Sequence, residues 1–542
     1  MSSLTRVLLV AALASGAVAC EDASSDPLRP GGEGYVPDGV DPLMHGAGLG
    51  PVHLRRLSRA ELQRTLRDAL GVDATPYLDA LPEDERTPFD NDASTQHPSA
   101  ALTEGARVFA GQVVAAIDDP SLRAMVGCAP TGPTDRGCLS AFVERIGRRL
   151  LRRPLTPDEV AELASLIEHA EAQGDFWVAP RLVLRALLQD VEHLYRVEIG
   201  APTPDPDLRA LTDFELASRL SFLLWGAGPD DALLDAAQAG ELRTPAHIRV
   251  QAARLMADPR ARGQIQNLHA MWLGYERIPV SDPIRDDLRL ESDRLIERVL
   301  FDEQRPWLDL FTSEETFVTP RLAEHYGMAP QAEPGWVRYT DERRGLLSHG
   351  SFLSGGTKLG VTSPTMRGLL VFERLLCQTI PPPPDGVATD ELPPGDPDEC
   401  KVERWDMSRT SGCETCHQRM DPIGFGLERY GPLGRLREVE EDRPHCAIEG
   451  RGELRLPRPD GSVDARTFSG PGELGTQLAS TAHLQSCFAR QMFQYAVGRQ
   501  YTAADHETLE SLEARFLESG DLLDLILDLV GSESFRHRLE TN

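Results

Sequence analysis

The sharpest chemistry in the chain is carried by residues 413 to 417, where Cys413-Glu414-Thr415-Cys416-His417 forms a C-x-x-C-H sequence. In a c-type haem site, two thiols at this spacing form thioethers to the porphyrin vinyl groups and the adjoining imidazole becomes an axial iron ligand. A short turn followed by the first turn of a helix would bring both sulfurs to one porphyrin edge and leave His417 under the ring. One covalent haem c is therefore the expected cofactor, with His417 as its iron ligand. Two other chemistries remain open for the same residues. Cys413 and Cys416 could form a short disulfide or a redox pair, although no βαβ setting surrounds them. They could also join His445 and Cys446 around tetrahedral zinc, but there is no second C-x-x-C and two adjacent residues make poor ligands for one ion.

A c-type haem normally takes a second axial ligand. Met420 lies on the same helical face as His417 and cannot reach across the ring. Met407 and Met492 are the candidates, with a loop position and ordinary core packing as their respective alternatives. Arg367, Arg435 and Arg437 flank the motif in an acidic chain and are candidates for pairing with haem propionates; surface ion pairs or helix capping would account for them equally. His445 and His483 are weaker ligand candidates. Asp421-Pro422-Ile423-Gly424-Phe425 reads as a turn that ends the motif's helix and drops Phe425 onto the ring.

The remaining composition narrows the function classes. The chain has 542 residues with 41% hydrophobic and 26% charged content, enough for several compact units. Its 56 Lys+Arg against 85 Asp+Glu give a formal charge of -29, a field that repels phosphate backbones, so nucleic acid is not an expected partner. Glycine-rich phosphate loops, G-x-S-x-G elbows and H-E-x-x-H helices do not occur, and no catalytic residue is assigned. Phe89-Asp90-Asn91-Asp92 lacks a calcium-loop pattern and reads as a solvated loop. The acidic run Glu438-Val439-Glu440-Glu441-Asp442 reads as a solvated face.

The first residues have the shape of an export signal: Arg6, an apolar stretch over 7–19, then Cys20-Glu21-Asp22. Ala17-Val18-Ala19-Cys20 resembles a bacterial lipobox, which makes Cys20 the expected lipid-bearing residue, while Ala17-x-Ala19 also fits ordinary cleavage. The expected location is extracytoplasmic, in the periplasm or at the outer membrane or cell surface. Membrane contact would come only through that anchor, with residues 20–51, rich in Gly, Pro and Asp, as a tether. Nine cysteines become eight if Cys20 carries lipid. Outside the motif, Cys128 and Cys138 flank a Gly/Pro-rich loop and are expected to pair. Of the arrangements left, Cys377–Cys487 with Cys400–Cys446 is favoured.

These residues need helices to position them, and the chain reads as mostly α, in multidomain helical bundles. Leu57-Ser58-Arg59-Ala60-Glu61-Leu62, Leu155-Thr156-Pro157-Asp158-Glu159-Val160 and Leu211-Thr212-Asp213-Phe214-Glu215-Leu216 share one grammar. In each, a Ser or Thr caps the backbone and a Glu three residues on reaches back. Helical periodicity covers 60–70, 139–151, 160–172, 181–194, 214–224, 248–256 and 293–301. Ser363-Pro364 reads as a cap followed by a first-turn proline. Strand alternation is confined to 452–468, where Asp460-Gly461 offers a hairpin turn.

Arg56-Leu57-Ser58-Arg59-Ala60-Glu61-Leu62, Arg152-Arg153-Pro154-Leu155-Thr156 and Phe214-Glu215-Leu216-Ala217-Ser218-Arg219-Leu220 are followed by Thr362-Ser363-Pro364-Thr365-Met366-Arg367-Gly368. Next come Cys416-His417 with Asp421-Pro422-Ile423-Gly424-Phe425-Gly426-Leu427-Glu428, then Tyr495-Ala496-Val497-Gly498-Arg499 and Ser532-Glu533-Ser534-Phe535. In this order they resemble the DUF1592 domain-containing proteins of planctomycetes and myxobacteria, an array of DUF1587, DUF1595, DUF1592, DUF1588 and DUF1585. The resemblance implies exported, cytochrome-c-like proteins with a cytochrome-c-like C-terminal part. After the signal peptide (1–19) and the tether (20–51), it divides the chain into DUF1587-like (52–115), DUF1595-like (116–200), DUF1592-like (207–335), DUF1588-like (340–440) and DUF1585-like (452–540) parts. The expected function is extracytoplasmic electron transfer to an unknown redox partner protein. Alternatives are a haem-dependent oxidoreductase with an open distal site and a non-haem cell-surface polysaccharide-binding or scaffold protein.

Overall fold

The computed structural model describes residues 54–280, 283–358, 361–381, 383, 396, 398–405, 413–458 and 460–540. The export segment, Cys20, the tether and Met407 lie outside the described residues. Helices dominate. All three predicted capping boxes form, Ser58 with Glu61, Thr156 with Glu159 and Thr212 with Glu215, opening helices Arg59–Leu70, Pro157–Ala164 and Asp213–Trp225. Each box satisfies backbone donors that the helix itself leaves unpaired. The pattern over 139–151 becomes the helix Arg136–Leu151, and that over 248–256 becomes Pro245–Met256.

Three expected helices differ. The stretch 160–172 splits into Pro157–Ala164 and Ile167–Gln173, where Ser165 Oγ turns back to the Glu162 carbonyl at 2.6 Å. The stretch 181–194 splits into Val178–Leu187 and Val191–Leu194, because Asp190 caps a new start through the Glu192 N–H. The stretch 293–301 is the tail of the helix Ile284–Glu297 running into a π turn, Arg298–Asp302.

The predicted hairpin is present as Arg451–Pro457 against Val463–Ser469, with Leu454 opposite Arg466 and the chain reversing at Gly461, where φ is +81°. Leu454 and Leu456 point into the core, as their alternation requires. The expectation that strands stop there is corrected by five further small antiparallel arrangements among the described residues. Arg55–Arg56 pairs with Tyr195–Arg196, Glu315–Val318 with Gly335–Arg338, Thr357–Lys358 with Val361–Thr362 and Val439–Glu440 with Arg443–Ala447. Leu208–Ala210 lies between Ala201–Pro202 and His537–Leu539.

The apolar side chains form two cores. One runs from Leu57 to Tyr195 and takes in Phe222; the other runs from Leu211 to Phe535 and takes in Phe89. The Phe89 loop crosses between them, and the expectation of a solvated loop there is overturned: Asp90, Asn91 and Asp92 are all buried. Asn91 Nδ2 donates to the Tyr495 carbonyl at 2.9 Å, and Ala93 N–H donates to the Gly498 carbonyl at 2.9 Å. Gly498 has φ +67°, and a Cβ there would meet the Arg55 side chain and the Asn91 carbonyl. The loop thus ties the N-terminal part of the chain to the Tyr495-Ala496-Val497-Gly498-Arg499 segment.

Candidate functional site

Cys413 caps the helix Glu414–Phe425, its carbonyl accepting the His417 N–H at 3.1 Å. Cys416 and His417 therefore stand on the first helical turn. Both cysteines are free thiols and both are half-buried, as is His417. His417 Nδ1 lies 2.8 Å from Oδ2 of Asp421, one turn further on. Among the described residues nothing hydrogen-bonds to the other ring nitrogen, Nε2. A proton on Nδ1 would leave the lone pair of Nε2 free to act as a ligand. Two free thiols and an oriented imidazole on one helical turn are a donor set that fits covalent haem.

The helix is set in place by close backbone approach. Helix Pro364–Arg374, capped by Ser363 with Pro364 in its first turn as expected, crosses it at two glycines. A Cβ on Gly424 would stand 1.7 Å from the Pro364 carbonyl oxygen, and one on Gly368 would stand 1.8 Å from that of Met420. The predicted turn at Asp421 to Phe425 is corrected: Pro422 lies inside the helix, which continues to Phe425. Phe425 instead lines a cavity of about 300 Å³ with Lys401, Val402, Ile448 and Gly450.

Below the helix is a buried charge cluster that sequence reasoning did not find. Arg367 is buried and donates to the carbonyls of Leu427, Tyr430, Leu353 and Gly431 at 2.7 to 2.9 Å and to Glu428 at 3.3 Å. Lys401 and Arg437 converge on the other Glu428 oxygen at 3.0 and 2.9 Å. Burial alone would raise the Glu428 carboxyl; Arg367, Lys401 and Arg437 outweigh it and hold it below the usual range. Burial pushes Arg367 down to about 10. Arg367 is thus committed to clamping the chain that follows the motif, and its candidacy as a propionate partner is corrected. Arg437 is likewise engaged with Glu428, whereas Arg435 is exposed.

The other candidates separate. Met492 is fully enclosed in the larger core on the helix Ala482–Val497, so it packs rather than faces an open site. That helix packs on Gly470–Ala479, His506–Ser519 and Asp213–Trp225. Disulfides join Cys128–Cys138, Cys377–Cys487 and Cys400–Cys446, the expected pairs. The last one removes the zinc alternative: Cys400, His445 and Cys446 do cluster, but both sulfurs are spent on each other and His445 Nε2 lies 3.0 Å from the Asp398 carbonyl. His483 Nε2 lies 3.1 Å from the Pro457 carbonyl. In the acidic run, Glu440 is buried, accepting from Lys401 N–H at 2.6 Å and pairing with Arg443, so that face is not wholly solvated.

Sequence reasoning missed Asp421 as a partner of His417, although the separation of four residues was visible. It also missed a second buried polar network. Glu291 accepts from Thr316 and Tyr326, each at 2.7 Å, and His349 Nδ1 lies 2.9 Å from Ser292 Oγ. Burial raises Glu291 to about 7 and lowers His349 to about 3.

Five family models match in succession: DUF1587 over residues 55–118, DUF1595 over 138–198, DUF1592 over 211–328, DUF1588 over 343–440 and DUF1585 over 464–535. Each is described as a protein of unknown function. The chain therefore belongs to the proteins built from this five-part array. Helix Glu414–Phe425 falls within the DUF1588 match. No curated protein and no solved structure matches the chain. Among the described residues no helix is long and apolar enough to cross a membrane.

Proposed function

We propose that the protein is an exported, lipid-anchored c-type-haem protein acting in extracytoplasmic electron transfer. The observation that carries this reading is the donor set on one helical turn: free Cys413 and Cys416 beside His417, whose Nδ1 is held by Asp421. The thiols would each add across a vinyl group, sulfur to one carbon and proton to the other, and His417 Nε2 would ligate iron. A haem so held supplies a one-electron iron couple. The DUF1588 part would then be the cytochrome-c-like element, and the helical parts before it a platform for the redox partner. Cys20, as the lipidated residue, would fix the molecule to a membrane, with residues 20–51 as its tether.

A second reading, a haem-dependent oxidoreductase with an open distal face, is favoured by the enclosure of Met492 in the core, which takes away one candidate distal ligand. Rapid binding of carbon monoxide or cyanide would select it over a closed relay. The first test is maturation with an export-coupled haem-attachment system, followed by intact-mass measurement. One haem added, lost in Cys416→Ala, supports the proposal; colourless matured protein without a Soret band overturns it.

A further inference from the structure

Asp421 is 3% exposed and has no lysine or arginine partner among the described residues. It sits in the interior of its helix, away from the N-terminal turn where the macrodipole would favour a carboxylate. One oxygen, Oδ2, meets His417 Nδ1 at 2.8 Å, while Oδ1 is buried without a hydrogen-bond partner. A carboxylate buried with so little compensation is costly. Among the described residues its one polar partner is the imidazole.

We infer that Asp421 is the positioning residue of His417. It holds the ring in the tautomer protonated at Nδ1 and aims Nε2 outward. It also draws the Nδ1 proton toward itself, which raises the electron density on Nε2 and makes it a stronger donor. On iron, a carboxylate-backed imidazole stabilises the oxidised over the reduced state, so the site is tuned to a low reduction potential by hydrogen bonding outside the ligands themselves. The potential rests on the haem reading above; the tautomer does not.

The test therefore has two arms. In the haem-loaded full chain, Asp421→Asn should keep covalent attachment and raise the reduced-to-oxidised ratio at a fixed poise about tenfold, equivalent to ~59 mV for a one-electron couple. An unchanged potential with haem in place overturns the inference. In the haem-free wild-type chain, ¹⁵N spectra of His417, assigned by its loss in His417→Gln, should show Nδ1 protonated and Nε2 bare. The opposite tautomer overturns the inference whether or not Asp421→Asn folds. Wild-type protein that never takes up haem would defeat the functional reading and leave the second arm to decide the role of Asp421.

Discussion

Arg367 and Glu291 show how a buried titratable group declares its role through its partners. Arg367 donates to four carbonyls and one carboxylate, so Arg367→Gln would strand several of these acceptors and leave the Glu428 cluster short of a cation. A loss of roughly 3 to 5 kcal/mol in urea unfolding is expected, the range for breaking a buried pair from one side. A propionate partner would instead alter the haem spectrum with little effect on folding. Glu291 makes a pH-dependent prediction. Its folded value of about 7 lies above its ordinary value of 4.5, so between these the native state holds a proton that the unfolded chain has released. Its contribution is fully present below pH 4.5 and is lost as pH rises through 7. Glu291→Gln carries no such titration, so its destabilisation relative to wild type should be largest near pH 5 and smaller near pH 8, by up to about 3 kcal/mol. Urea titrations of both proteins at the two pH values check this; a pH-independent difference would mean that Glu291 stays ionised.

At the scale of elements, the crossing of Pro364–Arg374 over Glu414–Phe425 is set by glycine. Gly424→Ala and Gly368→Ala would each drive a Cβ into a carbonyl oxygen at under 2 Å, and no rotamer change relieves a backbone clash. Each should cost at least about 1 to 3 kcal/mol and lower the melting temperature, while an alanine at exposed Gln418 on the same helix should be nearly neutral. What was legible in the sequence follows the same logic of range. Capping boxes at Ser58, Thr156 and Thr212 could be read because cap and partner lie three residues apart. The hairpin after Arg451 could be read because seven-residue strands show their alternation. Strands of two to five residues have too little length for a period, and some, such as Arg55–Arg56 against Tyr195–Arg196 and Leu208–Ala210 against His537–Leu539, are formed by partners far along the chain. Burial of Asp90 to Asp92 and the committed role of Arg367 were hidden for that reason too, since their partners are distant in sequence. The motif at Cys413 was legible because its chemistry is local. The Asp421 contact was equally local, but Pro422 disguised it as a turn, although here the proline is accommodated inside the helix.

Across the whole molecule, five sequence parts share two cores, so the stability of the C-terminal half depends on connections between parts. The Cys377–Cys487 disulfide is the longest of these covalent connections, closing 110 residues and fastening the segment after Pro364–Arg374 to the helix Ala482–Val497. In the chain-entropy account a loop of that size removes about 4 to 5 kcal/mol of freedom from the unfolded chain, against about 2 to 3 for the ten-residue closure at Cys128–Cys138. Joint replacement of Cys377 and Cys487 by serine should therefore lower the denaturation midpoint more than joint replacement of Cys128 and Cys138. The difference should vanish when both proteins are unfolded under full reduction, because the cross-links are then absent from every chain. Neither pair includes Cys413 or Cys416, so on the proposed haem reading uptake of haem per folded molecule should be the same in both. If the Cys377/Cys487 variant instead loses haem while remaining folded, that disulfide is holding the helix of Cys416 and His417 in its working geometry, and its influence reaches the site through Pro364–Arg374, the helix that Gly368 and Gly424 lock against it.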